Sequence, residues 1–455
     1  MNWIHDLNLL NGPLPITFGL LGAVSLAYLL VRRSRRWWLF AAVSAVASLL
    51  ISYAASWAVI HVLFWWPEDL PSAVFLNVAL ILWALSLGGT TALAGLRHRG
   101  GPASGSRAET GRSNRSRTSR RRRLLAVPTA AAILAVAGLQ VNAAFGEFPT
   151  VGSLLAPPSA VSTAPPPVEQ LAAAERFMIT PVSQRWHARA GQPEKGTVLS
   201  VPIPGKKSGF KARDAIVYLP PAYHSAARPV LPVLVLVSGQ PGSPESWLRS
   251  TALVADLNAY AAAHQGLAPL VVIPDPNGSE QGNTMCMDTS LGRADTYMAT
   301  DVPAWIKTNL DADTNPAHWA VGGFSFGGTC SLQMVTRHPD TFETFMAISP
   351  EREPALASKR SVTVERAFHG DAAAFDALVP LTLLAQKSYP HIHGWFASGS
   401  GDATYSANVK VLQQAARKAG MTTQSVEFPG GHSWSVASAA MPRGFNFMFP
   451  RLGLP

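Results

Sequence analysis

Cysteine and charge are both scarce in this sequence. Only 2 of the 455 residues are cysteine, which excludes a disulfide-rich scaffold and a Cys-rich zinc or iron–sulfur site. Charged residues make up 14% of the chain and hydrophobic residues 48%, a balance that excludes disorder throughout. The net charge is +10, but the excess arginines lie before residue 145, and the remainder is balanced. The remainder therefore has no electrostatic support for binding nucleic acid.

Long apolar runs are abundant in the N-terminal part. Each of four runs approaches or exceeds the ~20 residues that cross a membrane, and they span about residues 14–31, 38–62, 70–96 and 124–145. Arginines lie between the first and second runs and within 97–123, whereas the loop between the second and third runs is acidic and aromatic. The positive-inside rule then predicts a multi-pass cell-membrane protein with four transmembrane helices and a basic cytoplasmic loop, 97–123. Its N-terminus and everything after residue 145 are predicted to lie outside the cytoplasm.

The fourth apolar run also has an alternative interpretation as an internal signal sequence. A cluster of arginines precedes it and small residues end it, as in segments that are cleaved after export. Either interpretation places the C-terminal part outside the cytoplasm. Cleavage would change only whether that part stays attached to the membrane.

The C-terminal part has the pattern of an α/β domain. Residues 146–172 are rich in Pro and Ala, which is typical of a semi-extended linker. In residues 173–455, helical patterns separate short apolar runs that we predict as strands: Asp214–Leu219, Pro232–Val237, Pro269–Ile273, Ala320–Phe324, Phe345–Ile348, Gly394–Ala397 and Gln424–Phe428. The alternation predicts a mostly parallel sheet covered by helices on both faces. In such sheets the functional residues follow the carboxyl ends of the strands.

A G-x-S-x-G pattern stands at one of these strand ends. Gly323 to Gly327 read GFSFG, directly after the strand Ala320–Phe324 and before a predicted helix. Glycines permit the sharp turn that lifts a serine hydroxyl above a sheet, and a helix N-terminus stabilises an oxyanion. The pattern predicts Ser325 as a nucleophile. A glycine-rich turn with a helix-capping serine is the alternative.

Two further polar residues follow predicted strands. Asp402 comes after the strand that ends at Ala397, and His432 after the strand that ends at Phe428. A serine needs a base to take its proton, and an acid must hold that base in one tautomer. The order Ser325, Asp402, His432 is the order of an α/β hydrolase. We therefore predict this catalytic triad in an α/β-hydrolase domain that follows an all-α transmembrane region.

Other acids and histidines remain as alternatives to these assignments. Asp371, Asp376 and Glu351 could supply the acid, although none directly follows a predicted strand. His391 and His393 are the nearest other histidines, and they have no carboxylate or cysteine at metal-ligand spacing. Structural roles are therefore favoured for both histidines.

The oxyanion donors are predicted from the turns beside the serine. One is the backbone N–H of Phe326, and the other comes from the loop after Pro232–Val237. That loop reads SGQPG, and the N–H after its first glycine belongs to Gln240. A simple Gly/Pro turn is the alternative for this loop.

The two cysteines are candidates for a disulfide. Cys286 lies in a long loop after Pro269–Ile273, and Cys330 lies on the helix that follows Ser325. Cysteines outside the cytoplasm can oxidise, and a bridge here would fix a loop that crosses the mouth of the site. The alternative is a buried free Cys330 and an unrelated loop thiol.

Three stretches of the α/β part read RDAIVYLPP at 213–221, WAVGGFSFGG at 319–328 and GGHSW at 430–434. They resemble the esterase D family, which includes S-formylglutathione hydrolases and the secreted mycobacterial mycolyltransferases. The resemblance covers roughly residues 195–450. It implies an α/β-hydrolase fold, Ser/acid/His catalysis and carboxylic ester substrates, without metal or organic cofactor. The mycolyltransferases have Glu where Asp402 stands and lack the four apolar runs, so their transfer of mycolate to trehalose is not carried over.

These observations predict a membrane-anchored serine esterase that hydrolyses carboxylic esters outside the cytoplasm, with envelope lipids as a candidate substrate class. One alternative is an acyltransferase that moves the acyl group onto an envelope sugar or lipid hydroxyl. Another is a catalytically inactive hydrolase fold that serves as a binding module. The expected partners are an ester or lipid substrate and the membrane, without nucleic acid, and the oligomeric state is left open.

The predicted orientation is testable with reporter fusions. After Pro455, a reporter that works only outside the cytoplasm should be active. Near Ser116, a reporter that works only inside the cytoplasm should be active, because arginine-rich loops stay in the cytoplasm. Paired alkaline phosphatase and fluorescent-protein fusions at the two positions measure this. External activity at Ser116 would contradict the four-crossing arrangement.

Overall fold

The computed structural model describes residues 3–32, 34–93, 120–156, 160–168, 176–188 and 191–455. These residues form two compact units. The first comprises Met1–Val62 and Leu70–Ala144, and the second comprises Leu63–Asp69 and Phe145–Pro455. Most of the predicted cytoplasmic loop, residues 97–119, lies outside the described residues.

The first unit is built from four helices. They are α1 (Pro13–Leu30), α2 (Arg35–His61), α3 (Ser72–Leu93) and α4 (Arg120–Phe145). Within the described residues, these four helices are long and apolar enough to cross a membrane, which confirms the prediction of an all-α apolar region. The third helix begins at Ser72, later than predicted, because Pro71 precedes its first turn. The fourth begins at Arg120, earlier than predicted, because arginine is a good helix former.

Small residues let the helices of this unit approach one another. A Cβ on Gly22 would lie 2.8 Å from Cγ2 of Val136, and one on Gly88 would lie 2.7 Å from Cβ of Ala130. Such close contacts through glycine and alanine are typical of helices in membranes, where packing replaces the hydrophobic effect. Large apolar side chains on the outer surfaces, such as Leu50 at 64% exposure, suit contact with lipid.

The second unit contains a mostly parallel sheet. Among the described residues nine strands form it: β1 (Val161–Ser162), β2 (Thr197–Val201), β3 (Ala215–Leu219), β4 (Val233–Val237), β5 (Leu270–Ile273), β8 (Trp319–Phe324), β9 (Thr344–Ile348), β10 (His393–Gly399) and β11 (Thr422–Phe428). Their order in the sheet is β1-β2-β3-β5-β4-β8-β9-β10-β11. Only β3 runs antiparallel to its neighbours within these pairings. Two short strands, β6 (Asp288–Thr289) and β7 (Gly292–Arg293), pair separately.

Helices cover both faces of this sheet. Every residue of β3, β4, β5, β8 and β9 is buried, and side chains alternate between faces along a strand, so both faces are packed. The helices of the unit are α5 (Val151–Leu155), α6 (Ser246–Ser250), α7 (Leu253–Ala263), α8 (Ala294–Thr296), α9 (Val302–Asn309), α10 (Phe326–Arg337), α11 (Arg360–Phe368), α12 (Ala372–Asp376), α13 (Pro380–Gln386), α14 (Ala403–Lys418) and α15 (Trp434–Met448). The predicted α/β architecture is therefore confirmed.

The segment predicted as a linker, 146–172, differs from that prediction where the structure describes it. Helix α5 begins with a capping box, in which the side chains of Thr150 and Ser153 bond each other's backbone N–H groups. Strand β1 pairs in parallel with β2, and Arg249 Nε donates to the Glu147 carboxylate at 2.9 Å. Local hydrogen bonds and strand pairing thus hold these residues against the α/β unit, despite a composition rich in Pro and Ala.

A disulfide joins the long loop after β5 to helix α10. Cys286 and Cys330 are bonded, with their Cα atoms 5.5 Å apart, and both side chains are fully buried. The bridge closes a loop of 44 residues, so it restricts the unfolded chain as well as the folded one. The loop that it fixes contributes Glu280 and Asn283 to the cavity described below.

Candidate active site

Ser325 lies at a strained turn between β8 and α10. Its backbone φ is 57° and ψ is −120°, a region that non-glycine residues rarely adopt. The Ser325 N–H donates to the carbonyl of Ile348, at the end of β9, at 2.8 Å. A Cβ on Gly323 would collide with the backbone of Gly327, and a Cβ on Gly327 would collide with the Val237 carbonyl. The G-x-S-x-G glycines are therefore required by close backbone contacts.

The structure brings Ser325, His432 and Asp402 together. Nε2 of His432 lies 2.8 Å from Oγ of Ser325, and Nδ1 of His432 lies 3.1 Å from Oδ2 of Asp402. Ser325 follows β8, Asp402 follows β10 and His432 follows β11. Because β8 to β11 are adjacent and parallel, their carboxyl ends share one edge, and the three side chains meet there.

The alternative acids and histidines have other positions. Asp371 caps α12 by accepting from the Ala374 N–H at 2.9 Å, and Asp376 forms an ion pair with Arg360. His393 is the first residue of β10, so it lies at the amino end of the strand whose carboxyl end leads to Asp402. Glu351 alone among the alternative acids lines the cavity that contains Ser325.

Two aromatic rings enclose the imidazole of His432. Phe324 stacks on it with ring centroids 5.0 Å apart, and Tyr405 lies on it at 3.9 Å. The backbone N–H of Tyr405 also donates to Oδ1 of Asp402 at 3.2 Å. The sequence analysis does not single out Tyr405. Its position three residues after Asp402, in the first turn of the helix that Asp402 caps, is the signal that could have found it.

The two residues predicted as oxyanion donors, Phe326 and Gln240, line the same cavity as Ser325. Phe326 is the first residue of α10, so its N–H has no acceptor within the helix. Gln240 lies in the loop after β4, and Arg213 stabilises this loop by donating to the Gly242 carbonyl at 2.8 Å. Both predicted donors therefore lie in segments that border the cavity above Ser325.

The cavity above Ser325 has a volume of about 300 Å³. Its lining includes the aromatic side chains of Trp66, Phe145, Phe148, Phe324, Phe326, Tyr405 and Trp434, and its carboxyl groups are those of Glu68, Glu147, Glu280 and Glu351. Trp66 and Glu68 belong to the loop between α2 and α3, and Phe145 is the last residue of α4. Sequence reasoning assigned these segments to the membrane region, and no pattern around them indicated a contribution to the site.

Two of these carboxyl groups are strongly affected by their surroundings. Burial raises the pKa of Glu351 to about 8, and the nearby carboxyl of Glu68 adds to the shift. Burial also raises the pKa of Glu68, although the charge of nearby His432 opposes this shift. Glu351 therefore keeps its proton at neutral pH. Among the described residues, no group of three or more His, Cys, Asp or Glu side chains is arranged to hold a metal ion.

A mostly parallel sheet that presents a serine on a strand-to-helix turn, with a histidine and an acid at adjacent strand ends, defines the α/β-hydrolase class. Residues 211–448 match the protein-family model described as "Putative esterase". This match spans more than half of the chain, so the protein belongs to this esterase family. The resemblance to esterase D proteins is thereby confirmed.

The chain is also similar to one further protein and to solved structures. The chain is 35% identical over 348 residues to an uncharacterized protein of Corynebacterium glutamicum, covering 74% of this chain and 78% of that protein. The aligned part of this chain is longer than residues 173–455, so the likeness extends into the residues before 173. Among solved structures the chain is similar to a ferulic acid esterase, with a TM-score of 0.50 and 17% identity over 57% of this chain and 99% of that one. It is also similar to an S-formylglutathione hydrolase from Agrobacterium tumefaciens, with a TM-score of 0.46 and 18% identity over 57% and 97% of the two chains. These structural likenesses concern the fold.

The contact between His432 and Asp402 predicts the effect of an amide at position 402. Asp402→Asn should retain the fold but lower ester turnover by roughly three to four orders of magnitude, because the amide favours the wrong imidazole tautomer. Steady-state hydrolysis of a chromogenic ester measures this. Asp371→Asn and Asp376→Asn are the matched controls and should change turnover by less than about tenfold, since their carboxylates serve a helix cap and a surface ion pair. Full activity of Asp402→Asn with loss in either control would show that the acid is assigned wrongly.

Proposed function

We propose that the protein is a membrane-anchored serine esterase that hydrolyses carboxylic esters outside the cytoplasm. The observation that carries the proposal is the 2.8 Å contact between Ser325 Oγ and His432 Nε2, with Asp402 on the other ring nitrogen. This arrangement makes a serine hydroxyl nucleophilic. Membership of an esterase family supports the same reaction.

The reaction proceeds through an acyl-enzyme. Ser325 Oγ attacks the ester carbonyl while His432 Nε2 takes its proton, and the Asp402 carboxylate stabilises the imidazolium that forms. The N–H groups of Phe326 and Gln240 hold the oxyanion of the tetrahedral intermediate. Collapse of this intermediate breaks the bond to the alcohol oxygen, which receives the proton from His432. Water then attacks the acyl group with His432 as base, and the acid product leaves Ser325 free.

The cavity supports an ester with an apolar acyl part as the substrate. Aromatic side chains such as Trp66, Phe145 and Phe148 form much of its wall, and burial of an acyl chain against them is favourable. Along the chain, Phe145 ends α4 and Trp66 lies six residues before α3, and both helices are long and apolar enough to cross a membrane. We therefore propose lipid esters of the cell envelope as the substrate class.

An acyltransferase is the second candidate, because the cavity carries carboxyl groups that an alcohol could use. Glu68 and Glu351 lie with Ser325 around this space, and carboxyl oxygens accept hydrogen bonds from sugar or lipid hydroxyls. Such an acceptor would attack the acyl-enzyme in place of water. Mass spectrometry of lipid extracts incubated with the protein separates the two reactions, since transfer forms new esters and hydrolysis forms free acid. The contacts among Ser325, His432 and Asp402 argue against the alternative of an inactive binding module.

A fluorophosphonate probe tests the proposal. The purified full-length protein should be labelled covalently, because the probe reacts only with serines activated by a base. Ser325→Ala should remove the label, and Ser331→Ala is the matched control because Ser331 lies on the same helix and donates to the Gly327 carbonyl. In-gel fluorescence measures the labelling. A folded wild-type protein that takes up no probe would contradict the catalytic proposal.

A further inference from the structure

The loop between α2 and α3, residues Leu63–Asp69, belongs to the α/β unit in the structure. Side-chain contacts hold it there at two points. The rings of Trp66 and Phe145 lie 5.2 Å apart, and the guanidinium of Arg366, on α11, lies 4.0 Å from the centre of the Phe64 ring. The loop therefore has a defined position in this unit, although apolar helices flank it in sequence.

The side chain of Gln240 binds this loop. Its Nε2 donates to the carbonyl of Trp65 and to the carbonyl of Gln281, each at 3.2 Å. Gln240 is buried, with 7% of its surface exposed, and buried amide groups need such partners because water does not replace them. Gln281 belongs to the loop after β5 that the disulfide fixes. The amide thus joins the loop after β4 to two other loops of the unit.

The backbone N–H of the same residue is the proposed second oxyanion donor. The far end of its loop is held separately, because the Gly242 N–H donates to the Glu280 carbonyl at 3.0 Å and Arg213 donates to the Gly242 carbonyl at 2.8 Å. At residue 240 itself, the side-chain amide is tied to Trp65 and Gln281. A side chain that is fixed in this way also fixes its own Cα and N–H. This matters for catalysis, because an oxyanion donor acts only at a distance of about 2.7–3.1 Å from the oxyanion.

We propose that the loop Leu63–Asp69 is a positioning element for ester cleavage, which acts through the Gln240 side chain on the Gln240 N–H. The Trp65 carbonyl holds the amide, and the amide holds the oxyanion donor in place. This inference rests on the proposed function, since it concerns the tetrahedral intermediate of the same reaction. Neither the Trp65 carbonyl nor the amide contacts the reacting atoms in this role. Residues between two apolar helices are then needed for turnover, and the N-terminal region does more than anchor the enzyme.

The first test removes the amide from the full-length protein. Gln240→Met keeps the length of the side chain and removes both N–H donors. On p-nitrophenyl butanoate kcat should fall by roughly tenfold, the usual effect of losing a hydrogen bond. The fall should be smaller than the roughly 10²- to 10³-fold effect of losing a whole oxyanion donor, because the backbone N–H remains. KM should change by less than about threefold, since a small ester does not need the amide for binding.

Gln333→Met is the matched control for this substitution. Gln333 is also buried, and its Nε2 donates to the Met285 carbonyl at 3.0 Å, but the described lining of the Ser325 cavity does not include it. The control therefore loses a similar hydrogen bond at a distance from the oxyanion. It should keep kcat within about threefold of wild type. A loss as large as that in Gln240→Met would overturn the proposal, because general destabilisation would then explain both variants.

An alkyl trifluoromethyl ketone separates a misplaced donor from a smaller fraction of folded enzyme. Ser325 Oγ bonds to its carbonyl carbon, His432 takes the proton, and the carbonyl oxygen becomes an oxyanion that resembles the transition state. Its inhibition constant for Gln240→Met should rise by the same factor by which kcat/KM falls, with active sites counted by the fluorophosphonate probe. An unchanged inhibition constant, with kcat lowered per labelled serine, would overturn the action on the oxyanion donor.

The second test changes the loop itself. Phe64→Ala removes the contact with Arg366, and neither residue is in the described lining of the cavity. We expect kcat to fall by roughly threefold, and to fall no further when Phe64→Ala is combined with Gln240→Met, because both changes act through one hydrogen bond. Wild-type kcat in Phe64→Ala, or an additional loss in the double variant, would overturn the role of the loop.

Trp65→Ala is the control within the loop. It keeps the backbone carbonyl that accepts from Gln240, and it shortens a side chain that is 45% exposed, so kcat should stay within about twofold of wild type. A larger loss would assign the effect to the Trp65 side chain and overturn the link through the carbonyl.

The remaining outcomes distinguish this inference from the proposed function. Wild-type kcat in Gln240→Met, with hydrolysis still dependent on Ser325, would overturn the inference and leave the proposed function in place. Absence of Ser325-dependent hydrolysis in the wild type would overturn both. If Gln240→Met lowers the melting temperature, Phe64→Ala decides the question, because its contact lies away from the cavity.

Discussion

Around Ser325 three backbone segments lie so close together that side chains cannot fit between them. The end of β4, the turn from β8 into α10 and the end of β9 meet there, and Gly323 and Gly327 allow the contacts. The N–H of Ser325 is held by the carbonyl of Ile348, and its φ of 57° stores strain that the surrounding packing must offset. This turn fixes the direction of the hydroxyl and of the first N–H groups of α10. Every other part of the site is placed relative to it.

The sheet brings residues that are distant in sequence together in one site. Ser325 and His432 are 107 residues apart, yet both follow strands of the same parallel set, and parallel strands end at a common edge. The rings of Phe324 and Tyr405 then restrict the imidazole to the plane in which it faces both Ser325 and Asp402. Packing and hydrogen bonding therefore hold His432 between Ser325 and Asp402, which is the preorganisation that the proposed catalysis requires.

Sequence patterns predicted the parts of the site that local chemistry determines. Ser325, Asp402 and His432 each follow an apolar strand, so strand prediction and the glycine pattern were sufficient to find them. Glu68 could not be found in this way, because it lies in a short loop between two apolar helices and its position beside Ser325 in the cavity depends on tertiary structure. The helix at 151–155 and the strand at 161–162 were not predicted, because the segment is rich in Pro and Ala. A five-residue helix and a two-residue strand are also too short to show a periodic pattern.

The central claim is that ester cleavage passes through an acyl group on Ser325. The direct measurement is to mix the full-length protein with a long-chain acyl ester, quench with acid during turnover, and map the acyl mass on proteolytic peptides. The account predicts the acyl mass on the peptide that contains Ser325 in the wild type, and neither acyl peptide nor turnover in Ser325→Ala. An acyl group on a different residue, or undiminished turnover in Ser325→Ala, would contradict it.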